Sequence, residues 1–240
     1  MSKIIAIIPA RYNSKRFPGK LLEKINGKTI VQMVYERVKQ ATKPDEVIIA
    51  TDDQRIMDEC TKFGAYAEMT FTSHKSGTDR CAQIAFSYWE DDIIINIQGD
   101  EPFIEPDVID LLAKKMEEDS WLEISTLCTE IKTEGEKTNP NIVKVVRDIN
   151  NRTLYFSRAP IPYDRDSTAS LASYKHIGIY AYRNKVLQNI TKLLESNLER
   201  TEKLEQLRWL ENGFKIHAFN TEYQGFGIDT PEDLKKASGI

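Results

Sequence analysis

Ile4-Ile5-Ala6-Ile7-Ile8-Pro9-Ala10-Arg11-Tyr12-Asn13-Ser14-Lys15-Arg16-Phe17-Pro18-Gly19-Lys20 joins an apolar strand to a loop with four cations: Arg11, Lys15, Arg16 and Lys20. The unbroken apolar run predicts a buried strand over 3–8. Pro9, Pro18 and Gly19 stiffen and kink the loop that follows. In α/β chains, ligands enter at the ends of such strands. A short cationic loop there suits a polyphosphate, because its charges offset the anion and its N–H groups approach the oxygens closely. A solvated basic loop is the bland alternative.

Outward from this stretch, strand and helix patterns alternate. Helices are predicted over 29–41, 54–63, 78–88 and 106–117, and strands over 47–50, 65–69, 93–97 and 124–128. Ile30, Val34, Val38 and Ala41 share one helical face, and Gly64 and Pro106 supply a stop and a first turn. This rhythm predicts an α/β fold: a Rossmann-like, mostly parallel sheet flanked by helices. After Thr129 the pattern changes. Residues 130–141 read as loop or short helix, and 142–147 with 153–156 as a hairpin. Residues 158–173 read as loop, 174–182 as a strand, 185–194 and 198–212 as helices, 215–219 as a strand, and 231–237 as a last helix. Residues 1–240 thus form one unit, with a β-rich lobe over about 130–180.

Bulk properties narrow the function. A net charge of −4 argues against a nucleic-acid partner, so the basic loop is a local device. Cys60, Cys81 and Cys128 are far apart, with no paired metal-ligand spacing, which fits reduced thiols in a cytoplasmic protein. The apolar run before Arg11 is too short for a signal peptide, and no stretch is long and apolar enough to span a membrane. Gly27-Lys28-Thr29 resembles the end of a P-loop, but the glycine required five residues earlier is Leu22. No G-x-G-x-x-G exists either. Gly27 reads as a turn residue.

Asn96-Ile97-Gln98-Gly99-Asp100-Glu101-Pro102 follows a predicted buried strand. Gly99 lets a backbone approach a ligand, and Asp100 offers a hard oxygen for Mg²⁺; a plain turn is the alternative. Asp229 or Thr230 could cap the last helix, with Pro231 at its first position. A carboxylate at Asp229 folded back towards Asp100 would complete a Mg²⁺ site. Ser76-Gly77-Thr78-Asp79-Arg80 opens a helix, where hydroxyls and free N–H groups bind a polar ligand or simply cap. In the lobe, Arg158, Lys175, His176 and Tyr180 could recognise a carboxylate and hydroxyls. Glu202, Glu205 and Gln206 share a helical face that is otherwise solvated.

Together these segments resemble the 3-deoxy-manno-octulosonate (Kdo) cytidylyltransferases. The matching stretches are IIPARYNSKRFPGK (7–20), ATDD (50–53), SGTDR (76–80), NIQGDEP (96–102), VKVV (143–146), LYFSRAPIPYDRD (154–166), YKHIGIYAYR (174–183), LEQLRWLENG (204–213) and GIDTPEDL (227–234). They are collinear and cover nearly the whole chain. The resemblance implies a nucleotide-diphospho-sugar transferase fold with a small lobe that makes a homodimer. It implies transfer from CTP to Kdo with Mg²⁺, giving CMP-Kdo and pyrophosphate for lipopolysaccharide synthesis. Carried over, it puts Arg11 and Lys20 on the triphosphate, and Pro9, Ala10, Ser76, Gly77 and Arg80 around the cytidine. Gln98 touches nucleotide or sugar; Asp100 and Asp229 hold Mg²⁺; Arg158, His176, Tyr180, Glu205 and Gln206 bind the sugar acid. Arg11, Lys20, Asp100 and Asp229 are the expected catalytic set, with Lys15 and Arg16 shaping the field or covering the site. Two positions need comment. Asn197 stands where many members carry proline. A related group that activates the 8-amino analogue of Kdo carries Gln after its Gly-Asp pair; Glu101 here favours Kdo.

Overall fold

Ile4–Ala10 forms β1 in the computed structural model, which describes residues 2–14, 16–166 and 172–239. Its side chains alternate between two buried clusters: Ile4, Ala6, Ile8 and Ala10 enter one, Ile5 and Ile7 the other. That is why the run carries no polar face. β1 pairs in parallel with β4 (Glu46–Thr51) and β6 (Ile93–Asn96), and β4 in turn with β5 (Ala67–Met69).

Beyond β6 the sheet changes direction. β10 (Tyr174–Arg183) is antiparallel to both β6 and β7 (Ile124–Glu130), and β11 (Ile216–Asn220) returns parallel to β7. The strand order is β11-β7-β10-β6-β1-β4-β5. The hairpin of β8 (Lys144–Arg147) and β9 (Thr153–Ser157) pairs with the start of β10, so this part of the predicted lobe extends the main sheet. Between β1 and the first helix a tight hairpin joins β2 (Lys24–Ile25) to β3 (Lys28–Thr29). Asn26 and Gly27 both have positive φ, 50° and 86°, so Gly27 serves a turn rather than a phosphate loop.

Helices cover both faces. α1 (Ile30–Val38), α2 (Gln54–Lys62), α4 (Pro106–Glu118) and α9 (Pro231–Ser238) pack on one side. α3 (Gly77–Ala85), α6 (Asn184–Ile190) and α8 (Gln206–Glu211) pack on the other. The short α5 (Glu134–Thr138) lies in the polar stretch before β8. α1 ends at Val38, short of the predicted Ala41, and α3 and α6 end before Tyr88 and Leu194. The larger correction concerns the helix predicted over 198–212. It is broken into α7 (Asn197–Glu202) and α8 by Lys203, which is left-handed (φ 54°, ψ 47°). A capping box of Ser196 and Glu199 starts α7 where the proline would stand one residue on. Lys15 and residues 167–171 of the predicted loop lie outside the described residues. Among the described residues, no helix is long and apolar enough to cross a membrane.

Candidate active site

The C-terminal ends of β1 and β6 open into a cleft of about 300 Å³. β1 and its loop contribute Pro9, Arg11, Ser14, Arg16 and Lys20. The turn after β6 contributes Gln98, Gly99 and Asp100, α3 contributes Gly77 and Arg80, and the approach to α9 contributes Asp229. Gly19 (φ 74°) turns the loop so that Lys20 points inward, where it is nearly buried. Its ammonium donates to Asp100 Oδ2 at 2.5 Å and to Asp229 Oδ1 at 3.1 Å. The exposed Arg16 pairs with the other Asp229 oxygen at 2.8 Å.

Two carboxylates 129 residues apart therefore aim at one cationic nitrogen. The Asp229 segment is drawn in by the main chain: the Ile228 N–H donates to the Asp100 carbonyl at 2.9 Å. Thr230, not Asp229, caps α9 through its hydroxyl, which leaves the Asp229 carboxylate free to face the cleft. Gly99 is required by closeness. A Cβ there would lie 2.8 Å from the Pro9 carbonyl oxygen. Behind Asp100, Glu101 accepts from the Tyr223 hydroxyl at 3.2 Å, and burial beside the Asp100 charge pushes its carboxyl up to about 7.

α3 presents its N-terminus to the cleft through Gly77. The Ser76 hydroxyl caps that helix, accepting from the Asp79 N–H at 3.1 Å. Arg80 is buried, anchored to Thr70 at 2.6 Å and to Asp52 at 2.5 Å. Asp52 lies in the ATDD stretch, and this buried pair is the part it plays here. Ala10 ends β1 with its side chain in the core, so it can offer only backbone. Gln98 donates to the Gly178 carbonyl at 3.2 Å, tying the cleft to the irregular stretch of β10.

The remaining residues expected on the sugar side do not line this cleft. Glu205 accepts from the Thr78 hydroxyl at 2.7 Å, next to Gly77, and desolvation raises its pKa. Gln206 is buried at the start of α8. His176 lies edge-on to Phe156 and beside Tyr180, with its Nε2 2.9 Å from the Thr126 hydroxyl; burial pushes its imidazole down to about 3. Tyr180 is buried, and its hydroxyl has no hydrogen-bond partner among the described residues. The Arg158 guanidinium is held by carbonyls of Glu202 and Pro140 at 2.7 and 2.8 Å. Sequence reasoning missed Ser14, Leu21, Asp52, Glu101 and Tyr223 at or behind the cleft. For the last two, no spacing links a residue after β6 to one before α9.

Residues 5–216 match the family model described as Cytidylyltransferase. Over 98% of its length the chain is 49% identical to a 3-deoxy-manno-octulosonate cytidylyltransferase of Geotalea uraniireducens (strain Rf4), covering 97% of that protein. It is 51% identical to the protein of the same description from Thermodesulfovibrio yellowstonii, over 97% of this chain and 96% of that one. The chain belongs to the 3-deoxy-manno-octulosonate cytidylyltransferase family. A solved structure of CMP:2-keto-3-deoxy-manno-octonic acid synthetase complexed with CTP superposes on it with a TM-score of 0.94 at 44% identity, covering 99% of this chain and 98% of that one. The sheet with helices on both faces is thus the nucleotidyltransferase architecture of this family.

Proposed function

We propose that this cytidylyltransferase family member joins CTP to 3-deoxy-D-manno-octulosonate, giving CMP-Kdo and pyrophosphate. The anomeric hydroxyl oxygen bonds to the α-phosphorus of CTP, the bond from that phosphorus to the β-phosphate oxygen breaks, and the hydroxyl proton leaves to solvent. The observation that carries this reading is the meeting of Asp100 and Asp229 on Lys20 at the mouth of the cationic loop. A site that already balances two carboxylates against Lys20, Arg11 and Arg16 is built to exchange charge partners.

Asp100 and Asp229 would hold a divalent cation. Two convergent carboxylates suit Mg²⁺, which takes one or two protein oxygens and fills its octahedron with water and phosphate. Mg²⁺ would draw charge from the α-phosphate and acidify the attacking hydroxyl. In the reaction, Arg11 and Lys20 bind triphosphate oxygens; the transfer of Lys20 from carboxylate to phosphate frees Asp100, and Asp229 is freed once Arg16 leaves it as well. Pro9, Gly77 and Arg80, with the adjoining Ala10 backbone and Ser76, are assigned to the nucleoside, and Gln98 to the junction of nucleotide and sugar. The family resemblance assigns Glu205, Gln206, His176, Tyr180 and Arg158 to the sugar acid; they stand outside the cleft lining, and Glu205 reaches it through Thr78 beside Gly77. Both substrates are anions, so alignment and neutralisation are the protein's main tasks. A neutral His176 serves as a hydrogen-bond partner, not a charge.

We place the protein in the cytoplasm, in lipopolysaccharide precursor synthesis, as a homodimer joined through the lobe. Ile149 and Leu154, exposed on the β8–β9 hairpin, favour that surface. Pyrophosphate release from CTP, with and without Mg²⁺, against a panel including Kdo and its 8-amino analogue tests the reading. Release with Kdo and Mg²⁺ is expected; no release with any 2-keto-3-deoxy sugar acid overturns it.

A further inference from the structure

The Glu202 carboxylate accepts from the Ser157 hydroxyl at 2.6 Å and from the Arg158 N–H at 2.9 Å. Arg158 Nε donates back to the Glu202 carbonyl at 2.7 Å. The Arg158 carbonyl accepts from the Lys144 ammonium at 2.5 Å, which also donates to the carbonyls of Asn139 and Ile142 at 3.0 and 2.7 Å. Lys144 is fully buried, so its three protons must all be satisfied, and three carbonyls do so. The start of β8, the end of β9 and the end of α7 are thus braced together.

Glu205 follows Glu202 by three residues. Between them Lys203 holds a left-handed conformation, uncommon away from glycine, and Leu204 is buried. A strained link this short, fixed at the Glu202 end, has little freedom at the Glu205 end. Glu205 in turn meets Thr78, beside Gly77 of the cleft.

We infer that Glu202 is a positioning residue for the acceptor: gripped by Ser157 and Arg158, it sets the place of the Glu205–Gln206 turn without touching substrate. The inference rests on the proposed function, which assigns that turn to the sugar acid. Steady-state kinetics with Kdo, calorimetry with CTP alone, and amide hydrogen exchange over 203–207 test it on wild type, Glu202→Ala and Glu202→Gln. Glu202→Ala is expected to raise the Kdo KM about tenfold, leave the CTP Kd within about twofold and speed exchange over 203–207. Glu202→Gln is expected to restore the Kdo KM to within about threefold of wild type, since its amide oxygen can accept from Arg158 and its NH₂ can donate to Ser157. Glu202→Met keeps the volume and answers the same question should the alanine variant not fold. An unchanged Kdo KM, or equal rises in Kdo KM and CTP Kd, overturns the inference. If wild type releases no pyrophosphate with Kdo, the functional reading fails instead. Unchanged exchange over 203–207 in Glu202→Ala then still overturns the bracing.

Discussion

Lys20 shares one ammonium between two carboxylates, and its side chain is only 9% exposed. Asp100→Asn removes one of the two converging charges while keeping the volume. The expected result is loss of turnover by at least about a hundredfold with little change in Tm; near-normal pyrophosphate release at saturating Mg²⁺ would refute the metal role of Asp100. Lys20→Met leaves Asp100 and Asp229 without their shared cation and takes a charge from the triphosphate grip. Calorimetry should find CTP binding weakened by about tenfold or more. Mn²⁺, followed by its paramagnetic resonance, should bind the CTP-free variant more tightly than wild type. Equal Mn²⁺ affinity would mean that the lysine and the metal do not compete for these acids. The sequence pointed to Lys20 as a triphosphate ligand and to Asp229 folded back towards Asp100 as a metal pair, from strand ends and from family resemblance. That Lys20 itself would sit between the two acids was not legible, because it depends on the Ile228–Asp100 backbone bond across 128 residues.

At the scale of elements, the cleft exists because the turn after β6 passes against the end of β1. Gly99→Ala would place its methyl carbon 2.8 Å from the Pro9 carbonyl oxygen, which is backbone and cannot swing aside. We expect a loss of about 1–3 kcal/mol in stability by urea unfolding, with reduced turnover; wild-type values in both would show that the two segments separate at no cost. Strands such as β1 and β6 were legible, because burial on both faces leaves an unbroken apolar run. The break between α7 and α8 was not. Thr201-Glu202-Lys203-Leu204-Glu205-Gln206 contains no glycine or proline, and its propensity is helical throughout. The left turn at Lys203 is imposed by Glu202 and Arg158 on one side and by the buried Leu204 on the other. Arg158 illustrates the same limit: its residue type suggests a carboxylate ligand, while its position makes it a clasp for main-chain carbonyls.

For the whole molecule, His176 couples the packing between β10, β7 and β9 to pH. Its imidazole sits near 3 in the fold, against an ordinary 6.5, because burial disfavours the cation. Between those values the unfolded chain binds the extra proton, so stability rises with pH through this window and levels off above 6.5. From pH 7 to pH 5 this group alone should cost on the order of 1–2 kcal/mol. Glu101, raised to about 7, acts in the opposite sense over the same range, so the His176 contribution is read as the difference in pH slope of urea unfolding between wild type and His176→Gln. A slope unchanged in the variant would assign the titration to other groups. Assembly is a second property at this scale. Ile149 is almost fully exposed and Leu154 is 62% exposed on the same hairpin. Sedimentation should find a dimer for wild type and more monomer for Leu154→Glu; a monomeric wild type would remove the lobe's proposed role.

The sequence by itself determined the alternation of buried strands and covering helices, the place of the cationic loop after β1, and the family. These follow from local periodicity and from motifs that read in order along the chain. Tertiary structure alone decided that β10 runs against its neighbours, that β8 and β9 extend the main sheet, and that Lys20 bridges Asp100 and Asp229. It also decided that Thr230 caps α9, which releases Asp229 to the cleft. The physical reason is range. Periodicity records which face of an element meets the core, whereas charge pairing and strand direction are set by partners far apart in the chain, whose approach no local pattern encodes.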